Sequence, residues 1–467
     1  MGQITHEFVA PRSGFRYNQS KEREARGASS THIERETKMN TKAIGLLALI
    51  AASTIAAAGE PVSGSIAIRE GDMVDGSTVT GLGAPFTNGN GELGAVLTLD
   101  DGRRAIWIGT GVVFTSDLAL PDNVTGGEST MGIGNNGEFI YSPSYNGDDS
   151  VWGQGGLILA EPMQAPGYAD GFNVTFNSRP QMVDDGSGYW VAGINDGAGG
   201  TSTVERALFR SNPNGTIDRI FGAGDAIANS GGLTIAAGSG VDFDYHVSGD
   251  GNHMINVFDG TSAAASFDLV AVNGSMVARE GQATGQGDNW DNFDALSINN
   301  NGNYVFSGDT DGNTASDEFI AYNNQIMLRQ GMSVDGFTLG GGVDALSINN
   351  LDQTAFIWDT VEGSETLFFN ADPTSFADAI ALLSIGDLFD ADNDGIGEWI
   401  IDDFNASTAV GPGLDFAEDG LLYVEVDLAS LDGGTNIEAI ISLAVPTPGA
   451  TGILALAALT TTRRRRN

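Results

Sequence analysis

The chain has 467 residues, 61 acids against 21 lysines and arginines, a formal net charge of −40 and no cysteine. The missing cysteines exclude disulfides, thiol catalysis, iron–sulfur clusters and cysteine–zinc sites. The acidity disfavours nucleic acid and anionic lipid as partners, and the length allows a core to form without covalent staples.

Residues 1–38 are polar and lack apolar periodicity, which fits a disordered leader or a start read too far upstream, with Met39 as the expected initiator. Residues 39–58 read as a secretory signal peptide. Lys42 supplies the charged start, Ala43 to Ala58 the apolar stretch, and Ala56-Ala57-Ala58 the small residues before a cut at Ala58–Gly59. Between this segment and the C-terminal arginines lie nine arginines, no lysine and 56 acids. Such a surface suits a salty external medium or divalent cations, with plain solubility as the simpler account.

Residues 59–443 carry a repeat. Asp294 to Asn300 and Asp344 to Asn350 share the sequence DALSINN, fifty residues apart, and Arg279-Glu280-Gly281-Gln282 is echoed by Arg329-Gln330-Gly331-Met332. Fainter copies place unit starts near Arg69, Phe114, Ala160, Gly222, Arg279, Arg329 and Ser384. Each unit opens with an apolar strand and an Arg/Glu/Gly/Asp-like turn. A second strand, an Asn/Gly or Asp/Gly turn and a third strand such as Tyr304-Val305-Phe306 follow. The inner turns, among them Asn88 to Gly91, Asn135 to Gly137, Asp250-Gly251 and Asn300 to Gly302, sit where hairpins need positive φ, which Gly and Asn adopt at little cost. Units of four short strands at this period stack side by side, and closing them into a ring hides the sheet edges. The expected fold is an all-β repeat array, a seven-bladed β-propeller, with a β-sandwich pair or an open β-solenoid as the alternative. Ser375 to Leu383 is the one expected helix.

The Asn-x-x-Gly turn with its following Ala/Val-Phe, as in Asn88 to Val96 and, less closely, Asn349 to Phe356, resembles the NxxGxxxAF tandem-repeat proteins of Planctomycetes-like bacteria. That resemblance implies a secreted surface protein and supplies no catalytic residue.

Asp390-Ala391-Asp392-Asn393-Asp394-Gly395-Ile396-Gly397-Glu398 is the sharpest local motif. Alternating oxygen ligands, a Gly at the sharp turn and a carboxylate at the ninth position suit Ca2+, with Asp390, Asp392, Asp394 and Glu398 as ligands. Ile401 stands where an EF-hand needs Glu, and the loop looks more like the calcium hairpins of integrin-type blades. A solvated acidic turn is the competing account. A second cluster, Asp309 to Asn313, is shorter.

No Gly-x-Ser-x-Gly elbow and, without lysine, no P-loop occurs in residues 59–462. His246 and His253 flank a hairpin and could face one another, although two histidines make a poor metal set. The six tryptophans fall about one per unit, as blade packing requires, and Trp290, in a polar stretch, is either a sugar-stacking residue or a buried anchor.

Residues 444–467 read as a sorting tail. Pro446, Pro448 and Gly449 break the chain, Ala450 to Leu459 is apolar and too short for a comfortable anchor, and Arg463, Arg464, Arg465 and Arg466 form a cationic stop. This pattern resembles the PEP-CTERM sorting signals, with Val-Pro-Thr-Pro in place of Pro-Glu-Pro, and the resemblance implies processing by an exosortase-like protease. Together the features suggest an exported cell-surface or matrix scaffold that binds polysaccharide or surface protein and meets the membrane only through its two terminal segments. The alternative is a carbohydrate-active enzyme with an Asp/Glu pair in the central pocket. Two inward carboxylates about 5–10 Å apart would favour the enzyme, and a pocket of Asn, Gly and backbone would favour binding.

Overall fold

The structure is a computed structural model that describes residues 60–445 except 110, 116–129, 146, 199–201, 239–240, 261–266, 406–412, 419 and 432. The leader, the signal segment with Ala58–Gly59, and the tail residues Pro446, Pro448, Gly449 and Arg463 to Arg466 lie outside them.

Seven antiparallel sheets follow one another along the chain, at residues 73–115, 131–160, 174–221, 241–279, 290–329, 333–384 and 388–444. Blade five is representative. Trp290–Ile298, Tyr304–Thr310, Phe319–Tyr322 and Gln325–Arg329 pair in sequence order, each hairpin made by a short turn rich in Asn and Gly. In blades two to five the first strand lies innermost, and the inner strand of each blade adjoins that of the next. Leu414–Phe416 of blade seven adjoins Phe86–Thr87 of blade one, so the row of inner strands closes into a ring.

The core repeats this sevenfold order. Seven apolar clusters each span one pair of neighbouring blades, because a four-stranded sheet cannot bury both faces alone. Between blades four and five, Met254, Val270 and Ala278 meet Trp290, Phe306 and Phe319. The cluster between blades seven and one joins Tyr423 and Ile440 to Val79, Leu97 and Trp107. The chain is a seven-bladed β-propeller.

The expected unit boundaries coincide with blade ends, but the strand opening each unit belongs to the preceding blade. Gln325–Arg329, for example, pairs with Phe319–Tyr322. At the N-terminus this assignment closes the ring: Ser65–Arg69 pairs antiparallel with Ile437–Ala444, and Val62–Ser63 runs parallel to Leu388–Asp390, all in blade seven. The expected helix at Ser375 to Leu383 does not form. Phe376–Asp378 makes one 3₁₀ turn, and Ile380–Ser384 is the edge strand of blade six, where Leu383 faces Leu367 and is buried. The burial available beside Glu365–Asn370 overrides the local helical composition. Among the described residues no helix is long and apolar enough to cross a membrane.

The repeated asparagines act between blades. Asn299 Oδ1 accepts the N–H groups of Asn301 and Asn303, both at 3.0 Å, and its Nδ2 donates to the Asn349 carbonyl of the next blade at 2.8 Å. Asn300 Oδ1 accepts the Asp250 N–H at 2.9 Å, while the Asn300 N–H donates to Asn350 Oδ1 at 2.7 Å. Asn350 in turn donates its N–H to Glu418 Oε2 at 3.1 Å. At blade one, Asn88 Oδ1 caps its own turn and its Nδ2 donates to the Gly134 carbonyl at 3.0 Å. The motif residue is thus a turn cap and a blade-to-blade clasp at one mouth of the ring.

Candidate functional site

The inner strands surround a channel with a cavity of about 100 Å³, lined by residues of all seven blades. Six inner strands carry a register shift, between Val79 and Gly81, Ser178 and Gln181, Val241 and Tyr245, Phe293 and Leu296, Val343 and Ala345, and Ile401 and Asp403. A bulge inserts an unpaired residue and re-aims its side chain. The bulges of blades three to six hold Arg179, Asp244, Asp294 and Asp344, and all four line the channel. Arg179 takes a left-handed φ of 50° there, and its guanidinium meets Asp244 at 2.5 Å.

Asp294 and Asp344 each stand within a trio of carboxylates. Asp294 groups with Asp309 and Glu318, and Asp344 with Asp359 and Glu365, the ligand atoms of each trio all lying within 4.8 Å of one another. Burial, then the neighbouring Asp309 and Asp244, pushes Asp294 up to about 7. Burial raises Asp344 to about 6 and Glu365 to about 7, with the surrounding acids adding to both. On the blade-seven wall Asp415 accepts the Thr87 N–H of blade one at 2.5 Å, and burial raises its carboxyl to about 6.

The metal motif forms the hairpin between Leu388–Asp390 and Trp399–Phe404. Asp390, Asp392, Asp394 and Glu398 do converge, their ligand atoms within 4.8 Å of one another. The loop is internally wound: Asp390 Oδ2 accepts the Gly395 N–H at 2.8 Å, Asp392 Oδ1 the Asp394 N–H at 3.1 Å, and Glu398 Oε2 the Ala391 N–H at 2.9 Å. Asn393 and Gly395 supply the positive φ values, 61° and 89°. The donors are all hard carboxylate oxygens, the set that Ca2+ takes. Ile401 is fully buried in its strand and cannot ligate, so the loop is not an EF-hand.

The other candidates are resolved by their surroundings. His246 and His253 do not face one another. Val247 pairs with His253, His246 accepts the Ile298 N–H through Nδ1 at 3.1 Å, and His253 packs edge-on against Phe221 at 5.7 Å. Trp290 is 2 % exposed and packed among Phe293, Phe306 and Phe319, so it anchors the core and offers no sugar platform. The stretch Asp309 to Asn313 divides: Asp311 accepts the Asn289 N–H at 2.7 Å and its Nδ2 at 2.8 Å, while Asp309 joins the channel-side trio. The trios themselves were missed, although a signal was present. Asp244, Asp294 and Asp344 recur at intervals of fifty residues, as do Asp259, Asp309 and Asp359.

No protein-family model matches the chain, and no curated protein matches it. Among solved structures it is similar to the WD40 β-propeller domain of Doa1, at 8% identity over 83% of this chain and 98% of that one with a TM-score of 0.34. It is similar to BBS1N, solved with ARL6DN, at 10% identity over 82% and 98% with a TM-score of 0.35. The gluconolactonase XC5397 from Xanthomonas campestris matches at 10% identity over 65% and 95%, with a TM-score of 0.30. At such identities the likeness concerns the fold alone, and none of these proteins lends a residue role or an activity.

Proposed function

We propose that this propeller is an exported cell-surface or extracellular-matrix binding and scaffold protein, stabilised by Ca2+ at Asp390, Asp392, Asp394 and Glu398 and sorted through its C-terminal tail by an exosortase-like protease. Export rests on the signal-like segment ending at Ala58 and on the Pro446 to Arg466 pattern. The observation that carries binding over catalysis is the spacing of the channel acids: within each trio they lie within 4.8 Å of one another. Three acids drawn to one point form a ligand set, whereas glycoside hydrolysis uses two carboxylates set on either side of the bond. Acids drawn this close are arranged to share a proton or hold an ion. The ligand is a polysaccharide or surface protein, approached through the loop faces of the ring.

Thermal unfolding of the full chain in Ca2+ and in EGTA, with an Asp392→Ala, Asp394→Ala double variant, tests the stabilising role. A Ca2+-induced rise of the midpoint that is smaller in the variant than in the parent supports it, since each ion bound only by the folded state stabilises by mass action. A midpoint indifferent to Ca2+ rejects it. One observation favours a second reading as a carbohydrate-active enzyme. Asp294 faces the channel with its carboxyl near neutrality, where a group can hold and release a proton. Glycan hydrolysis abolished by Asp294→Asn would move the assignment to that reading.

A further inference from the structure

Blade four provides an internal comparison for the channel acids. Its bulge residue Asp244 and the next-strand residue Asp259 each meet an arginine, Arg179 at 2.5 Å and Arg279 at 2.6 Å. Fifty residues on, the corresponding Asp294 and Asp309 have no arginine, and neither do Asp344 and Asp359 in blade six, among the described residues. Each pair is joined by a glutamate. Glu318 adjoins the cross-strand pair Gly308–Phe319, and Glu365 lies directly opposite Asp359. The two blades therefore share the fold and bulge of blade four and lack its counter-charges.

A second observation concerns what is left unsatisfied. Glu318 is only 8 % exposed and its carboxyl meets that of Asp309 inside the trio, with no arginine beside it among the described residues. In the sister trio, Asp344 Oδ2 is buried with no hydrogen-bond partner. Three carboxylates held this close carry a charge that burial makes costly unless it is paired or metal-bound.

We infer that the Asp294, Asp309, Glu318 trio and the blade-six trio Asp344, Asp359, Glu365 are twin divalent-cation sites on the channel wall, each taking a hard ion such as Ca2+. All donors are carboxylate oxygens, able to bind singly or bidentately, and the open channel side admits water to complete the six to eight ligands that Ca2+ takes. These sites are independent of the Asp390 to Glu398 loop and stand or fall without it.

The sites report themselves through aromatic neighbours. Trp290 faces Thr310, next to Asp309, and Trp358 precedes Asp359 and pairs with Val343, next to Asp344. Tb3+, a luminescent stand-in for Ca2+, should light up when these tryptophans are excited. The test uses the full chain carrying Asp392→Asn and Asp394→Asn, so that the blade-seven loop is silent, with Tb3+ luminescence and Ca2+ counted by equilibrium dialysis. Two equivalents are expected. Glu318→Gln with Asp309→Asn should remove one, Asp359→Asn with Glu365→Gln the other, and Ca2+ in excess should quench the Tb3+ signal. Binding of no ion to the loop-silenced chain, or an equivalent count unchanged by both channel variants, overturns the proposal. The count on the loop-silenced chain decides the matter even where a channel variant fails to fold.

Discussion

Asp415→Asn tests whether the channel carboxyls are held in the folded state as the geometry implies. Asp415 stands on the seam where blade seven meets blade one and accepts the Thr87 N–H, a bond that the Asn carbonyl can keep. Its carboxyl is raised from 3.8 to about 6, chiefly by burial. Between those values the folded chain retains a proton that the unfolded chain releases, so stability present at low pH is lost as pH rises from about 4 to about 6. Two pH units at about 1.4 kcal/mol each give roughly 3 kcal/mol, and because the group borders the open channel about half of that survives screening. The variant carries no such proton. Urea unfolding of parent and variant should therefore show near-equal stability at pH 4 and an advantage for Asn of about 1.5 kcal/mol at pH 7. Comparing the two chains cancels every other titrating group. A difference that stays flat from pH 4 to pH 7 refutes the reasoning, and an Asn variant that weakens as pH rises reverses its sign.

Three further outcomes are expected. His246 is lowered from 6.5 to about 4 by burial, so its contribution is complete above about 6.5 and lost as pH falls towards 4; His246→Gln should abolish that acid-side loss in the same urea series. Phe306, fully buried among Trp290, Phe293 and Phe319, should cost about 3–5 kcal/mol as Phe306→Ala, read as a lowered unfolding midpoint, because the gap it leaves cannot be refilled from either blade. Asn300→Ala removes the acceptor for the Asp250 N–H and should cost about 1 kcal/mol, with Asn300→Asp recovering most of it.

Much of this architecture was legible because the repeat is written in turn chemistry. Asn88 to Gly91 and Asn300 to Gly302 mark the inner hairpins, and the Arg/Glu/Gly turns at Arg279 and Arg329 fall at blade ends. The hidden parts are those in which local pattern and partner strand disagree. Ala381-Leu382-Leu383 has helical composition but lies beside Glu365–Asn370, and Ser65–Arg69 leads the chain yet completes its last sheet. The metal loop was visible because its ligands are contiguous. The channel trios were not, because each gathers acids distant in sequence, and only a periodicity search restricted to aspartate would have aligned two members of each. Polar sequence neighbours leave Trp290 open between a sugar platform and a buried anchor, and strand alternation sends its own side chain inward.

The pairing of Ser65–Arg69 with Ile437–Ala444 has a temporal consequence. The two strands made first, Val62–Ser63 and Ser65–Arg69, wait for partners in the blade made last, across more than three hundred residues, while the Leu388–Asp390 and Ile437–Ala444 edges stand open. For a chain threaded across a membrane, no complete ring exists on the far side until residue 444 has emerged. The segment after Val445 leaves directly from the strand that locks the seam, so a pull on it loads that seam first. Tension and completion are thereby reported at one place, the pairing of Ser65–Arg69 with Ile437–Ala444.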